Sequence, residues 1–451
     1  MVVRGNSVRV EHGGLTRLLS AEGEAVAEAE NERPATPREG TLLRLGDWRV
    51  FARPVSDGGR SGPELAAFEL EDGSSLPLVT DERGILQAPF SVEEAYANYL
   101  SEAWAAASPN RRLTSRQLQL FYRSRRFVPR GAQLWGRRRL IQWQGAPEFP
   151  AWPLDDGVAR LLRFHAAQRL AASGERELAF RWFWPDGYRA ACVLSHDVES
   201  VDGIRLAVEI ADLEEELGFR SSFNFGAWYE VDPGVLRELT SRGFEIGMHG
   251  IVHDRSLFSS RREFERQLPL LRDLAERLGA VGFRSPATHR IFDWLAELPV
   301  EYDCTIPHSD PFEPQPGGCC SLWPFFVGDV VELPYTLPQD HTLLTLLRHR
   351  SAAVWIDTAR AIEDRFGLVQ CVTHPDPGYL GDADKRAIYE EFLRAMAEQK
   401  HVWRALPREV AAWWRRRDGG NEGPDVGYGR VEVGPSPVEV SLTPPAVLST
   451  A

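Results

Sequence analysis

From residue 189 onward, short apolar runs alternate with longer stretches whose apolar positions recur every three to four residues. Residues 190–195 read as a buried strand, and 204–217 as an amphipathic helix stopped by Gly218. A strand over 221–227 follows, and then Asp232-Pro233 opens a helix with an acceptor at the cap and a proline at the first helical position. Further strands are predicted at 245–248, 280–284, 302–306, 330–333 and 368–372, with helices at 261–278, 352–366 and 385–398. This order places the chain in the α/β class, a parallel sheet covered by helices.

The first third has a different pattern. Residues 1–39 are acidic and rich in Ala and Glu, the composition of a mobile leader. Over 40–107, short strand-like runs around Gly46-Asp47 and Asp72-Gly73 predict a small β-rich domain, closed by a helix over 91–107. An Arg-rich connecting arm over 108–155 leads into a catalytic-type domain over 156–417. A Gly/Pro-rich tail over 418–451 has alternating valines that fit either a strand pair or disorder.

Composition narrows the reading. At 43% hydrophobic residues the chain can bury a core, and a net charge of −13 argues against nucleic acid as a partner. Five cysteines are too few and odd in number for a secreted disulfide framework. The first residues carry no apolar signal segment and no run is long enough to span a membrane, so a cytoplasmic location is the expectation. The segment 111–139 holds ten arginines and no acid. It could meet phosphate or form a peripheral contact with an anionic surface, but its interleaved aromatic residues favour an arm wrapped on the acidic domain.

The chemistry gathers where apolar runs end. His249 and His253 stand four apart after residues 245–248, a spacing that lets two imidazoles on one helical turn grip a divalent metal. With eleven histidines in the chain that pair alone is a weak signal. Its weight comes from Asp197 and Glu199 upstream and Arg284 and His374 downstream, each just past a predicted strand, where α/β folds collect their active sites.

Taken in order, Asp197-Val198-Glu199, His249 to His253, Arg284-Ser285-Pro286 and His374 resemble the motifs of the polysaccharide deacetylases, the NodB-homology family of carbohydrate esterases, over about 184–417. The resemblance implies a distorted (β/α) barrel of about seven strands. It also implies one divalent metal ion, with zinc the expectation for two histidines and a carboxylate. His249, His253 and Glu199 would be ligands, Asp197 the base, Arg284 its partner and His374 the acid, tuned by Asp376 or Asp303. The family's usual pair of adjacent aspartates is absent here. In a second register, Asp197 is the ligand and His196 stands at the base position. His289 and His308 are less favoured acids, and the cluster Gln339, Asp340 and His341 has no assigned role. The implied activity is removal of N-acetyl groups from a glycan or a lipid-linked sugar. A small-molecule amidohydrolase and a glycan-binding domain without activity are the alternatives.

Overall fold

The computed structural model describes residues 40–55, 62–106, 128–145, 147–419, 427–434 and 440–445. The leader expected over 1–39 and the arginines of 111–126 lie outside the described residues. No helix among the described residues is long and apolar enough to cross a membrane.

Strands β1 (Thr41–Leu45), β2 (Trp48–Ala52), β3 (Glu64–Glu69), β4 (Ser75–Thr80) and β5 (Leu86–Gln87) form an antiparallel sheet in the order β2-β1-β3-β4-β5. Gly46 and Gly73 make its tight turns at φ 61° and 82°, conformations that glycine reaches without steric penalty. Helix α1 (Val92–Leu100) starts at Ser91, whose side chain accepts from Glu94 N. It is shorter than the pattern predicted because Glu102 takes φ 56°, which ends the α-helix; a short 3₁₀ turn follows over Ala103–Ala106. Helices α2 (Arg130–Gln144) and α3 (Gly157–Ser173) and strand β6 (Glu177–Arg181) lead into the larger unit.

That unit is a curled sheet of seven parallel strands: β7 (Ala190–Val198), β8 (Ser222–Phe225), β9 (Glu245–Met248), β10 (Gly282–Phe283), β11 (Tyr302–Asp303), β13 (Val330–Glu332) and β14 (Leu368–Thr373). A short β12 (Phe325–Val327) runs antiparallel to β13, and β15 (Val402–Arg404) lies beside the first half of β7. The two ends of the sheet meet without a regular ladder: Thr336 N and Leu337 N both donate to Gln370 O, at 3.2 and 3.1 Å. The fold is the expected distorted barrel, with the smaller β-rich sheet beside it. Outer helices are α4 (Val201–Glu216), α5 (Pro233–Ser241), α6 (Arg261–Leu278), α7 (Phe292–Leu295), α8 (Ala353–Glu363), α9 (Ala383–Ala397) and α10 (Pro407–Asp418). Asp232 caps α5 as its sequence predicted, accepting from Gly234 N at 2.7 Å.

The strands are buried on both faces and read as continuous apolar runs, as parallel strands covered by helices do. One continuous apolar core runs from Leu43 and Phe68 of the small sheet through Leu161 of α3 to Trp182, Val193 and Trp355. In the tail, β16 (Tyr428–Val433) pairs with β6 and with β17 (Val440–Thr443), so these residues are strands and not disordered. Val431 is buried there, and that apolar contact holds the pairing in place.

A candidate metal and catalytic site at the strand ends

Each ladder runs one step beyond its strand, and this carries the polar residues to one end of the barrel. His249 N donates to Phe225 O and Arg284 N to Met248 O. Asp197 on β7 lies in register with Asn224 on β8, and Asn224 with Gly247 on β9. A Cβ on Gly247 would sit 2.0 Å from Asn224 Oδ1, so the glycine makes room for the amide that reaches Asp197. Asn224 Nδ2 donates to Asp197 Oδ1 at 2.8 Å, and Arg284 Nε approaches the same oxygen at 3.4 Å.

Glu199, His249 and His253 each offer a donor atom within 4.8 Å of the others. The two histidines do not share a helical turn. They lie in irregular chain after β9, where Gly250 takes φ 97° and breaks any helix before it starts. His249 Nδ1 lies 3.0 Å from Arg284 O; a carbonyl only accepts, so Nδ1 carries the proton. Nε2 is then the bare lone pair, and it is buried with no hydrogen-bond partner. Burial holds this imidazole's pKa down at about 4, so it stays neutral. A buried neutral imidazole whose other nitrogen is already fixed by a carbonyl is the donor a divalent cation takes. The residues present therefore fit such an ion. His253 Nε2 lies 2.8 Å from Glu199 Oε1. Burial raises the Glu199 pKa, but His253 and His374 outweigh it and hold the carboxyl well below the usual range.

Glu199 stands one residue past β7, and Asp376 fixes it there. Asp376 accepts from Glu199 N at 2.9 Å and from the Ser200 hydroxyl. Asp376 thus shapes the Glu199–Ser200 turn, and it also interacts electrostatically with His374. The tuning of His374 falls chiefly to Asp340, which accepts from His374 Nδ1 at 2.7 Å and from His374 N at 2.9 Å. Burial lowers the His374 pKa, but the Asp340 carboxylate overcomes it and drives the imidazole up to about 10. Asp303 stays inside the barrel with Thr305 and Glu332, and burial lifts its carboxyl to about 6.

His196 faces away from Glu199, His249 and His253. Successive strand residues face opposite sides, so with Asp197 turned inward His196 points out under the helices. It is fully buried, with Nδ1 2.7 Å from Thr373 Oγ1 and Nε2 2.8 Å from Glu214 Oε1. His308 accepts from Asp155 N, and neither it nor His289 borders the cavity that the other site residues line. The site residues border a cavity of about 280 Å³ together with Gln133, Leu134 and Arg137 of α2. Part of the Arg-rich arm therefore packs on the barrel: Arg137 donates to Phe312 O at 2.6 Å and Arg138 to Thr345 O at 2.8 Å.

Asn224, Trp228 and Tyr379 were not legible as site residues, while Asp340 stood in the polar cluster Gln339, Asp340 and His341, which the sequence singled out without a role. The Trp228 ring lies 5.7 Å from that of His249 and 5.2 Å from that of His253, and its Nε1 donates to Glu199 O. Tyr379 lies against the His374 ring at 4.6 Å. A polar Asn inside the apolar run of β8 was the one available signal.

Several solved structures align with about half of the chain. A Mycobacterium smegmatis protein assigned as a polysaccharide deacetylase is 21% identical, with a TM-score of 0.41, over 52% of this chain and 93% of that one. The allantoinase Puue is 15% identical with a TM-score of 0.40, over 51% and 92%. The family 4 carbohydrate esterase from Streptomyces lividans is 11% identical with a TM-score of 0.32, over 48% and 92%. No protein-family model matches the chain, and no curated protein does. At these identities the likeness is one of fold, and the chemistry rests on this chain's own residues.

Proposed function

We propose that this protein is a metal-dependent hydrolase that removes the N-acetyl group from an amino sugar of a glycan or its precursor. The observation that carries the reading is the convergence of Glu199, His249 and His253 beside two further groups with opposite proton tasks, Asp197 and His374. A divalent ion on those three donors, zinc by their chemistry, would supply Lewis acidity, making a water easier to deprotonate and the amide carbonyl more electrophilic.

The chain's own residues would do the rest. Asp197 takes the proton of the attacking water. Burial raises its pKa, but its neighbours, the positive Arg284 guanidinium among them, hold it below its ordinary value. Arg284 and Asn224 fix its direction by holding Oδ1. His374, held protonated by Asp340, delivers a proton to the amine nitrogen as the carbon–nitrogen bond breaks. The water oxygen leaves in acetate, and one proton has moved to Asp197 while one has left His374. Two groups whose surroundings drive their pKa values apart make a base and acid pair.

The cavity of about 280 Å³ has room for roughly one sugar ring, near the low end of ordinary ligand pockets. The α2 helix walls one side of it, which favours a single amino sugar or a small amide over a threaded polymer. That enclosure also keeps the small-molecule amidohydrolase reading in play.

The test is metal content by elemental mass spectrometry, run beside acetate release from N-acetylated sugars. About one equivalent of metal is expected in the wild type, and none in His249→Ala/His253→Ala. Glu199→Gln should weaken metal retention. A double variant with full metal content and full activity would remove the assignment.

A further inference from the structure

A second cavity, of about 720 Å³, adjoins the first at Leu134. The two share Leu134 of α2, and they take neighbouring residues from the same elements. His341 lines the catalytic cavity and Thr345 the larger one; Tyr379 lines the first and Gly378 the second. The two cavities are therefore neighbours along α2 and along the 341–346 and 378–379 segments.

The larger cavity is cationic in a chain of net charge −13. Arg138, Arg348, Arg350 and Lys385 line it against two carboxylates, Asp384 and Glu391. Glu391 is already committed, accepting from Ala352 N at 3.1 Å. Lys385 pairs with Asp382 at 3.2 Å. Among the described residues, Arg138, Arg348 and Arg350 have no carboxylate within ion-pair distance; Arg138 is anchored by the Thr345 carbonyl alone. Other arginines of the chain are held by carboxylates, as Arg261 is by Glu297 and Arg394 by Glu390. Arg348 also takes φ 64°, a left-handed conformation that a long side chain adopts only when its surroundings impose it. The Leu347 to Arg350 bend is thus held in a shape that turns three basic residues toward one space.

We propose that this cavity is an anion subsite that receives a phosphate or diphosphate ester carried by the substrate. The proposal rests on the amide hydrolase reading for what occupies the neighbouring cavity, and the anion subsite itself is tested without activity. Guanidinium groups match phosphate oxygens with paired N–H donors, and several unpaired arginines in one concavity are the ordinary device for binding them. A substrate anchored this way places a neutral N-acetyl sugar over Glu199, His249 and His253 while its charged end stays in the adjoining cavity.

The experiment is calorimetric titration of the full chain, freed of metal with a chelator, with inorganic pyrophosphate. Binding should weaken with salt and fall by at least about tenfold in Arg348→Ala/Arg350→Ala, whose exposed side chains are not needed for folding. Arg138→Ala should weaken it too, and His249→Ala should leave it unchanged. Two further arms distinguish the source of the phosphate. Binding of N-acetylglucosamine 1-phosphate that is lost in the double variant points to a soluble ester. Co-sedimentation with vesicles of phosphatidic acid in phosphatidylcholine, lost in the same variant, points to a lipid-linked one. Absence of pyrophosphate binding, or equal binding in wild type and double variant, overturns the subsite. If the hydrolase reading alone is wrong, pyrophosphate still binds and acetate is not released. If the subsite alone is wrong, neutral N-acetyl sugars are deacetylated equally by wild type and double variant and pyrophosphate does not bind.

Discussion

Replacing Asp340 by Asn separates the general-acid role of His374 from every contact made by the metal-ligand set. In the wild type, Asp340 accepts from both the ring and the backbone of His374, at 2.7 and 2.9 Å. Burial alone would lower the imidazole's pKa; the carboxylate instead raises it from 6.5 to about 10. A net difference of about 3.5 units corresponds to roughly 5 kcal/mol of preference for the protonated ring, the balance of burial against Asp340, with Glu199 and Asp197 adding to it. The sign is fixed by the direction of the shift: an acid must be protonated to act, so the rate falls as pH rises through the His374 pKa. With Asn at 340 the charge is gone and burial remains, so that alkaline limb should move by at least two to three units toward neutrality. A shift of that size leaves roughly a tenth to a half of the His374 rings protonated at pH 8, so the variant should lose about two- to tenfold in kcat there and about ten- to ninetyfold at pH 9. The assay is acetate release against pH, beside a nitrogen-detected NMR titration of the His374 ring in the metal-free protein. A variant that keeps the wild-type rate at pH 8 and an unmoved His374 titration would refute the acid assignment.

Three further outcomes follow from other parts of the structure. Burial lifts Glu245 to about 7 although it accepts from the Tyr302 hydroxyl at 2.7 Å and from Arg408 N at 3.2 Å, so the folded state holds this proton more tightly than the unfolded chain. Its contribution is present below the unfolded pKa of 4.5 and is lost as pH rises through 7, by about 3 kcal/mol; Glu245→Gln should flatten that slope in urea unfolding between pH 5 and 8. Arg290 and Glu102 form a two-bond ion pair at 2.7 and 2.5 Å that ties the end of α1 to the loop after β10, with both groups largely buried. Arg290→Ala strands the carboxylate and should cost about 3–5 kcal/mol of stability, read as a lower midpoint in denaturant. Trp228→Ala removes the ring beside both histidines and the bond to Glu199 O, and should weaken metal retention about tenfold to a hundredfold in competition with a chelator.

What was legible in the sequence follows the range of the forces involved. The alternation of 3.6-period and apolar segments is local, and the strand order with its covering helices came through, down to the Asp232 cap and the ends of α6. His249, His253 and His374 were legible because each interrupts an apolar run at its carboxyl end. The partners of these residues were not. Asp340 lies 34 positions before His374 and meets it only because the sheet curls until the segment after β13 touches β14. The wall formed by α2 depends on packing between residues roughly two hundred apart, such as Arg138 and Thr345.

The ambiguity between His196 and Asp197 is the instructive case. Each is polar and they are adjacent, so the strand's period of two requires one to face the barrel interior and the other the helices, and the run itself does not say which. The neighbouring strands decide it. His196 lies in register with Phe223 and Thr373, and its ring stacks on Phe223 at 4.7 Å beneath Glu214 and Tyr389 of the helical layer. Asp197 lies in register with Asn224, and Asn224 with Gly247, the one residue small enough to let that amide reach the carboxylate. Asn224 and Gly247 both interrupt the apolar pattern of their strands. A polar residue and a glycine at matching depth in consecutive parallel strands fix the phase of the strand beside them, and with it the identity of the carboxylate that faces the metal-ligand set. Gly247→Ala should therefore displace Asn224 and lower activity through Asp197 while the metal donors stay in place, so metal content should hold while acetate release falls.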